Sequence, residues 1–276
     1  MQYQVLLPTT FIFNIQVSKT SSQTILEEKL ILEPFFQLQE FTSNNAEARF
    51  LRLQVNDPMT FKIHYEAVVD LQYNVIDRQH LLNTVPVGKL DADIIPYLFP
   101  SRYCQSDKLQ QLAFKEFGKI DNTYAKVSAI TEWIYNNVSY IGGVTNSSTS
   151  AIDTLTERAG VCRDFAHLGV ALCRALSIPA RYFTGYAYKL NPPDFHACFE
   201  AHIGGEWMFF DPTKLVPVNG IVKIANGRDA ADASVASTFG NTRCTSIQVG
   251  CDSLDADFKP YYINNTVTQK KGLSYQ

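Results

Sequence analysis

The sequence predicts an α+β protein in which an all-β, sandwich-like N-terminal domain precedes a unit of helices and strands. Three observations carry that expectation. Apolar and polar residues alternate through the first third of the chain, helical spacing takes over after the connector Pro96-Tyr97-Leu98-Phe99-Pro100, and strands joined by a two-glycine loop follow.

From Phe61 to Val75 the odd positions Phe61, Ile63, Tyr65, Ala67, Val69, Leu71, Tyr73 and Val75 are apolar or aromatic, and the even ones are mostly polar. Period two over that length is a half-buried strand. Phe50 to Val55 has the same parity and ends at the turn signal Asn56-Asp57-Pro58, so the two runs are expected to pair as a hairpin. Phe11 to Val17 and Ile25 to Leu32 alternate likewise. The expected division is residues 1–98 for the β domain, 99–255 for the mixed unit with a closing strand near Thr245 to Val249, and 256–276 for a polar tail, mobile from Thr266.

In the mixed unit, Ser106 is placed to cap a helix carrying Leu109, Leu112, Ala113 and Phe117, with Gly118 as its stop. A second helix from about Tyr124 aligns Val127, Ile130, Ile134 and Val138. A third, from Cys162, aligns Phe165, Leu168, Leu172 and Leu176 and stops before Pro179. Strands follow at Arg181 to Tyr188, Phe195 to Ile203 and Trp207 to Phe210. Gly204-Gly205 suits the primed turns of two-residue hairpins. If Ile203 pairs with Glu206, Cys198 lies opposite Asp211, and Asp211 lies diagonal to His196 on one sheet face. Diagonal neighbours are about 7–8 Å apart, close enough for a His–Asp hydrogen bond once both side chains extend.

Composition narrows the function. The chain has 276 residues, 46% of them hydrophobic and 18% charged, enough apolar material for a well-buried core. With 24 Lys+Arg against 27 Asp+Glu there is no basic surplus to neutralise a run of phosphates, so no nucleic-acid partner is expected. No apolar run reaches the ~18 residues of a membrane span, so no membrane partner is expected, and no signal-like segment opens the chain, which points to the cytoplasm. The six cysteines form no Cys-x-x-Cys pair, which fits reduced thiols; Cys244 and Cys251 could bridge in an oxidising compartment. A zinc site recruiting Cys162, His196 and Cys198 lacks the usual ligand spacing, so neither metal nor cofactor is expected. Gly-x-Ser-x-Gly, Gly-x-Gly-x-x-Gly and the phosphate-loop lysine motif are absent as well. The pattern does not choose an oligomeric state.

One constellation suggests chemistry. Cys162 follows Gly160-Val161 at the start of a helix, where unpaired N–H groups and the helix dipole favour a thiolate. By itself it would more often be a small core residue. Cys162, His196 and Asp211 in that order supply a nucleophile, a base for its proton and a carboxylate to orient the base. By spacing alone, His196 and Asp211 could equally be a hydrogen-bonded pair on the edge of a core.

The run Ser150-Ala151, Leu155, Arg158-Ala159-Gly160-Val161-Cys162-Arg163-Asp164-Phe165-Ala166-His167-Leu168, continuing through Cys173-Arg174-Ala175-Leu176-Ser177-Ile178-Pro179-Ala180-Arg181-Tyr182, resembles bacterial transglutaminase-like proteins. Asp194-Phe195-His196-Ala197-Cys198-Phe199-Glu200, then Trp207 and Asp211-Pro212-Thr213, is similar to the His and Asp blocks of that superfamily. The likeness covers roughly residues 105–215, and the preceding β region resembles the N-terminal domain common in the bacterial group. It implies a papain-like core with Cys162 as nucleophile, His196 as base and Asp211 as orienter, acting on an amide through a thioester. Where the family usually has Trp two residues after its His, this chain has Cys198, expected to form a smaller and redox-sensitive wall of the substrate channel. The Cys162 N–H is the natural oxyanion donor, and Tyr140 is a candidate second one, though its ring could simply pack.

The remaining polar residues have simpler readings. His167 lies ~140° around the helix from Cys162 and is read as a structural hydrogen-bonder. His202, about 20 Å along the strand from His196, is read as a rim residue. Asp164 should complement the helix dipole, with Arg181 a secondary partner. Arg228 and Asp229, resembling a Gly-Arg-Asp element of the bacterial relatives, are read as an internal salt bridge. The function expected is amide hydrolysis or acyl transfer on a peptide or protein substrate, a peptidase first. The alternatives are a protein-glutamine transglutaminase or deamidase, and a non-catalytic peptide-binding module.

Overall fold

A computed structural model describes residues 1–42, 48–77, 85–263 and 271–275. The N-terminal region is a sandwich of two four-stranded sheets. One runs Thr242–Ser246, Gln2–Val5, Met59–Leu71, Gln23–Glu33 in spatial order, and the other Ala236–Phe239, Thr9–Phe13, Arg49–Val55, Gln39–Thr42. Their inner faces close on Tyr3, Phe11, Phe13, Leu51, Leu53, Phe61 and Ile63, all buried. Aromatic rings knit this core, Tyr3 stacking on Phe61 and meeting Phe11 edge-on at 5.2 Å.

The expected hairpin between Phe50–Val55 and the Phe61 strand does not form. Those strands belong to opposite sheets, and the turn at Asn56-Asp57-Pro58 carries the chain from one to the other. Both strands bury their odd-numbered residues in the same core, so they meet face to face instead of edge to edge. The long strand also stops at Leu71; Asn74–Asp77 is a separate strand.

After the connector come four helices: α1 (Gln110–Phe117), α2 (Thr123–Asn137), α3 (Ala151–Glu157) and α4 (Cys162–Ala175). Gly118 ends α1, as expected, but Ser106 sits in a short 3-10 turn before it and makes no side-chain cap. Asn122 caps α2, accepting the Ala125 N–H at 2.8 Å. Helix α3 has no counterpart in the sequence reading, although Ser150 and Asp153 form a capping box whose spacing could have located it.

The four-stranded antiparallel sheet of the core runs Glu206–Phe210, His196–Ile203, Ala180–Ala187, Ile221–Gly227. Gly204 and Gly205 both have positive φ, 65° and 92°, and the pairing is the one the loop predicts: Ile203 faces Glu206 and Phe199 faces Phe210. Helix α4 lies on this sheet. A Cβ at Gly169 would come within 2.5 Å of the Phe199 ring, so the close approach of helix and sheet requires glycine there. Arg174, buried, donates to the carbonyls of Phe99, Ala180 and Arg228, tying the connector to the sheet and the distal loop.

The end of the chain departs from expectation. The closing strand expected near Thr245 to Val249 forms over Thr242–Ser246 and pairs with Gln2–Val5 of the sandwich, not with the core sheet. In the tail, Lys271–Ser274 pairs with Asn74–Asp77, and Leu273 and Tyr275 are buried, so this part of the expected mobile segment is locked by burial; residues 266–270 and 276 lie outside the described residues. The sandwich is also fastened to the core: Tyr186 Oη donates to the Ile15 carbonyl at 2.6 Å, and Ser18 Oγ to that of Lys223 at 3.1 Å. All six cysteines are unpaired. Among the described residues no helix is long and apolar enough to cross a membrane.

Candidate active site

Cys162 is the first residue of α4, held by the turn before it. The Asp164 carboxylate folds back to accept the Val161 N–H at 2.9 Å and the Thr145 hydroxyl at 2.7 Å. It therefore caps the helix start, as its dipole role predicts. A Cβ on Gly160 would stand 2.7 Å from the Asp164 Cβ, so glycine makes room for that capping carboxylate. Arg163, not Arg181, is the cation beside Asp164, at 3.2 Å. Arg181 pairs across the sheet with Glu200 at 2.5 Å and lies over the Trp207 ring at 4.2 Å.

His196 opens its strand, and Asp211 follows the last residue of the next one across the hairpin. Their Nε2 and Oδ2 atoms are 3.2 Å apart, and both residues are buried. The other carboxylate oxygen accepts the Thr213 N–H at 2.9 Å and its hydroxyl at 2.7 Å, which leaves the carboxylate no freedom to swing. Burial disfavours a charge on His196, but the Asp211 carboxylate beside Nε2, together with the neighbouring Cys198 and Cys162 sulfurs, outweighs it and raises the imidazole well above its usual range. Burial likewise opposes ionisation of Asp211, and the His196 charge together with Thr213 brings its pKa below the ordinary carboxyl value. His196 Nδ1 makes no hydrogen bond of normal length, so it is the ring nitrogen available to exchange a proton with the Cys162 thiol. That thiol lies 3.9 Å from the Phe195 carbonyl, on the residue before His196, and is itself among the groups that raise the imidazole.

The residues singled out in the sequence gather here, Cys198 on the buried side of His196 and Asp211. Tyr140 enters through a two-residue parallel bridge, Tyr140 against Gly160, with the Ile141 N–H donating to the Gly160 carbonyl at 2.9 Å. Burial first, and the neighbouring Cys162 second, raise its phenol to about 12. Its ring leans on Phe165 at 5.8 Å and remains 43% exposed, so it packs and also faces the thiol.

Cys198 departs from expectation. It is fully buried in an apolar cluster with Phe183, Phe209 and Tyr275, behind His196, and forms no wall of a substrate channel. Burial first, and the Asp211 charge second, push its thiol pKa upward, so it is no accessible redox group. The donor atoms of His196, Cys198 and Asp211 lie within 4.8 Å of one another, a set that in kind could hold zinc. Both Asp211 oxygens and His196 Nε2 are already engaged in the hydrogen bonds described.

His167 and His202 behave as read. His167 Nε2 accepts the Ala230 N–H at 3.1 Å, its ring stacks on Tyr103 at 5.0 Å, and burial holds it neutral by lowering its pKa well below the usual value. His202 packs edge-on against Trp207, away from the site. Arg228 pairs with Asp232 at 2.8 Å, while Asp229 accepts the Tyr103 and Ala231 N–H groups, so the two do not pair with each other.

Fold and site together define a cysteine-dependent enzyme with a papain-like core. The family profile for the bacterial transglutaminase N-terminal domain matches residues 1–93, and that for the transglutaminase-like superfamily matches residues 110–212. A solved structure from Cytophaga hutchinsonii, provisionally assigned as a cysteine protease, is 65% identical with a TM-score of 0.96, covering 100% of this chain and 95% of that one. An uncharacterized protein of Mycobacterium leprae is 31% identical over 162 residues, 55% of this chain and 58% of its own length. One from Mycobacterium tuberculosis is 35% identical over 115 residues, 36% of each chain. The chain thus spans less than two thirds of these curated relatives. It belongs to the transglutaminase-like superfamily, in the bacterial group that carries this N-terminal domain.

Proposed function

We propose that this protein hydrolyses peptide bonds, with Cys162 as nucleophile, His196 as general acid and base, and Asp211 as the group that orients His196. The observation that carries the reading is the position of His196, its Nε2 held 3.2 Å from Asp211, with the Cys162 thiol at a helix start 3.9 Å from the carbonyl of the residue before it. A proton passed from Sγ to His196 leaves a thiolate that attacks the scissile carbonyl carbon. The oxyanion forms beside the Cys162 N–H, where the Tyr140 hydroxyl is a second donor. Collapse breaks the C–N bond as His196 returns its proton to the departing amine, leaving a thioester. Water then gives a proton to His196 and attacks the thioester carbon, releasing the carboxylic acid and restoring the thiol. The Cytophaga protein's provisional assignment supports the same ranking.

The test is incubation of the full chain with a peptide library, with and without a labelled primary amine, read by mass spectrometry. Cleavage that disappears in Cys162→Ala is expected. Amine incorporation without cleavage would replace hydrolysis by acyl transfer, and no turnover with either acceptor would overturn the enzymatic reading.

A further inference from the structure

A cleft of about 740 Å³ separates the sandwich from the core sheet, within the size range of small-ligand and side-chain pockets and at the kind of domain junction where such pockets concentrate. Its walls are the Met59–Leu71 strand, the end of the Ala180–Ala187 strand and the segment from Gly250 to Phe258.

Five aromatic rings line it: Tyr65, Tyr73, Tyr186, Tyr188 and Phe258. Hydrogen bonds and stacking hold them in place. Tyr65 Oη donates to Glu28 at 2.6 Å, Tyr186 Oη is fixed on Ile15, and Phe258 meets Tyr188 edge-on at 4.9 Å. Four carboxylates, Glu66, Asp70, Asp252 and Asp255, also line it, and among the described residues no Lys, Arg or His does. Two of the four have partners just outside, Glu66 with the His64 ring at 2.9 Å and Asp252 with Lys189 at 3.7 Å, whose Nζ also stands 5.2 Å from the Tyr188 ring. Asp70 and Asp255 supply the remaining negative charge. Fixed aromatic faces with acidic groups between them attract a cation through the ring quadrupole and through charge.

The cleft lies next to the site without including Cys162, His196 or Phe195 in its lining. Tyr186 forms part of its wall and packs on the Phe195 ring at 5.4 Å, and the Phe195 carbonyl lies 3.9 Å from Cys162 Sγ. One residue separates the aromatic wall from the sulfur.

We propose that this cleft is a substrate subsite for a lysine- or arginine-bearing segment of the peptide whose scissile bond lies at Cys162. The inference deepens the peptidase reading and rests on it for its functional meaning. The binding itself is tested without turnover, on the full-length Cys162→Ala chain. The probes are a fluorescent hexapeptide containing two arginines and the same peptide with citrulline in place of arginine, which keeps the shape and removes the charge.

The arginine peptide should bind about tenfold more tightly, with the margin shrinking as salt is added. Asp70→Asn combined with Asp255→Asn, both exposed positions whose exchange leaves the fold intact, should erase most of the margin. Hydrogen exchange with the arginine peptide bound should show protection in 65–73 and 250–258. Equal affinity for both peptides, an unchanged margin in the double variant, or protection confined to other segments would each overturn the subsite. Cleavage by the wild-type chain is scored separately: cleavage without a charge margin removes the subsite alone, and a charge margin without cleavage removes the peptidase reading alone.

Discussion

His196 Nε2 and Asp211 Oδ2 meet 3.2 Å apart across a hairpin whose two-glycine loop sets their register, and the other Asp211 oxygen is held by Thr213. A buried charged pair whose carboxylate is held on both oxygens is costly to break from one side, because the remaining charge stays in a medium that cannot solvate it. Asp211→Asn should therefore lower stability by about 2 kcal/mol or more and reduce kcat by about 10²–10⁴-fold with KM little changed. Urea titration and steady-state kinetics on the same preparations check both numbers.

The pair also fixes a pH window. His196 is raised above its ordinary 6.5 in the folded chain, so its stabilising contribution is complete below that value and fades as pH climbs through the folded value. Asp211 is depressed below its ordinary 3.8, so its contribution is complete above that value and is lost as pH falls through the folded one. The stability difference between wild type and Asp211→Asn should therefore be largest between about pH 4 and 6.5 and narrow on either side. Urea midpoints measured from pH 3 to 9 check this, and a difference that grows steadily toward pH 9 would contradict it.

Tyr140 neighbours Cys162 through its bridge to Gly160, with its ring braced on Phe165. Tyr140→Phe keeps the brace and removes the hydroxyl. If that hydroxyl helps hold the oxyanion, kcat should fall by about a hundredfold while Tm stays within a degree or two. An unchanged kcat would reduce Tyr140 to packing.

The six thiols should separate in a timed iodoacetamide experiment. Cys104, Cys173 and Cys198 are fully buried, and burial raises all three, Cys104 to about 12. They should label only after unfolding. Cys162, half-buried beside His196, and exposed Cys244 should label in the native state, with Cys162 losing its advantage in His196→Ala. Native labelling of Cys198 would restore it as an accessible wall of the site.

Gly169→Ala tests the seat of α4. A methyl group 2.5 Å from the Phe199 ring must push helix and sheet apart, at a cost of about 1–3 kcal/mol. Because Cys162 rides on the same helix, activity should fall further than stability alone explains. Phe199→Leu in the same chain should recover part of both, as read by thermal melts and peptide turnover.

Local chemistry was sufficient for the parts of the site that lie within a few residues of one another in the chain. A glycine pair that accepts positive φ joins two strands and thereby decides which residue faces which, so His196 and Asp211 could be matched from spacing before any coordinates. The helix opening at Cys162 and its stop before Pro179 follow equally from local rules. Alternation also identified the β strands of the first third, but alternation says only that one face is buried and is silent about what buries it. The strands on either side of Asn56-Asp57-Pro58 have the pattern of a hairpin and instead face each other across a core.

The same limit explains Cys198. A small residue two positions from His196 satisfies the strand pattern whether it lines a channel or a core, and its burial is imposed by Phe183, Phe209 and Tyr275, which lie up to 77 residues away. The strand Ile221–Gly227, which completes the core sheet, and Lys271–Ser274, which fastens the tail, are held by long-range pairing. The sequence by itself determined the three chemical groups, the helix that presents the thiol and the hairpin register that brings imidazole to carboxylate, because each is a consequence of bond geometry over short stretches. Only the tertiary structure decided that the thiol joins them, that Cys198 lies behind the site and that an acidic aromatic cleft opens beside it, because burial is a property of surfaces brought together from distant parts of the chain.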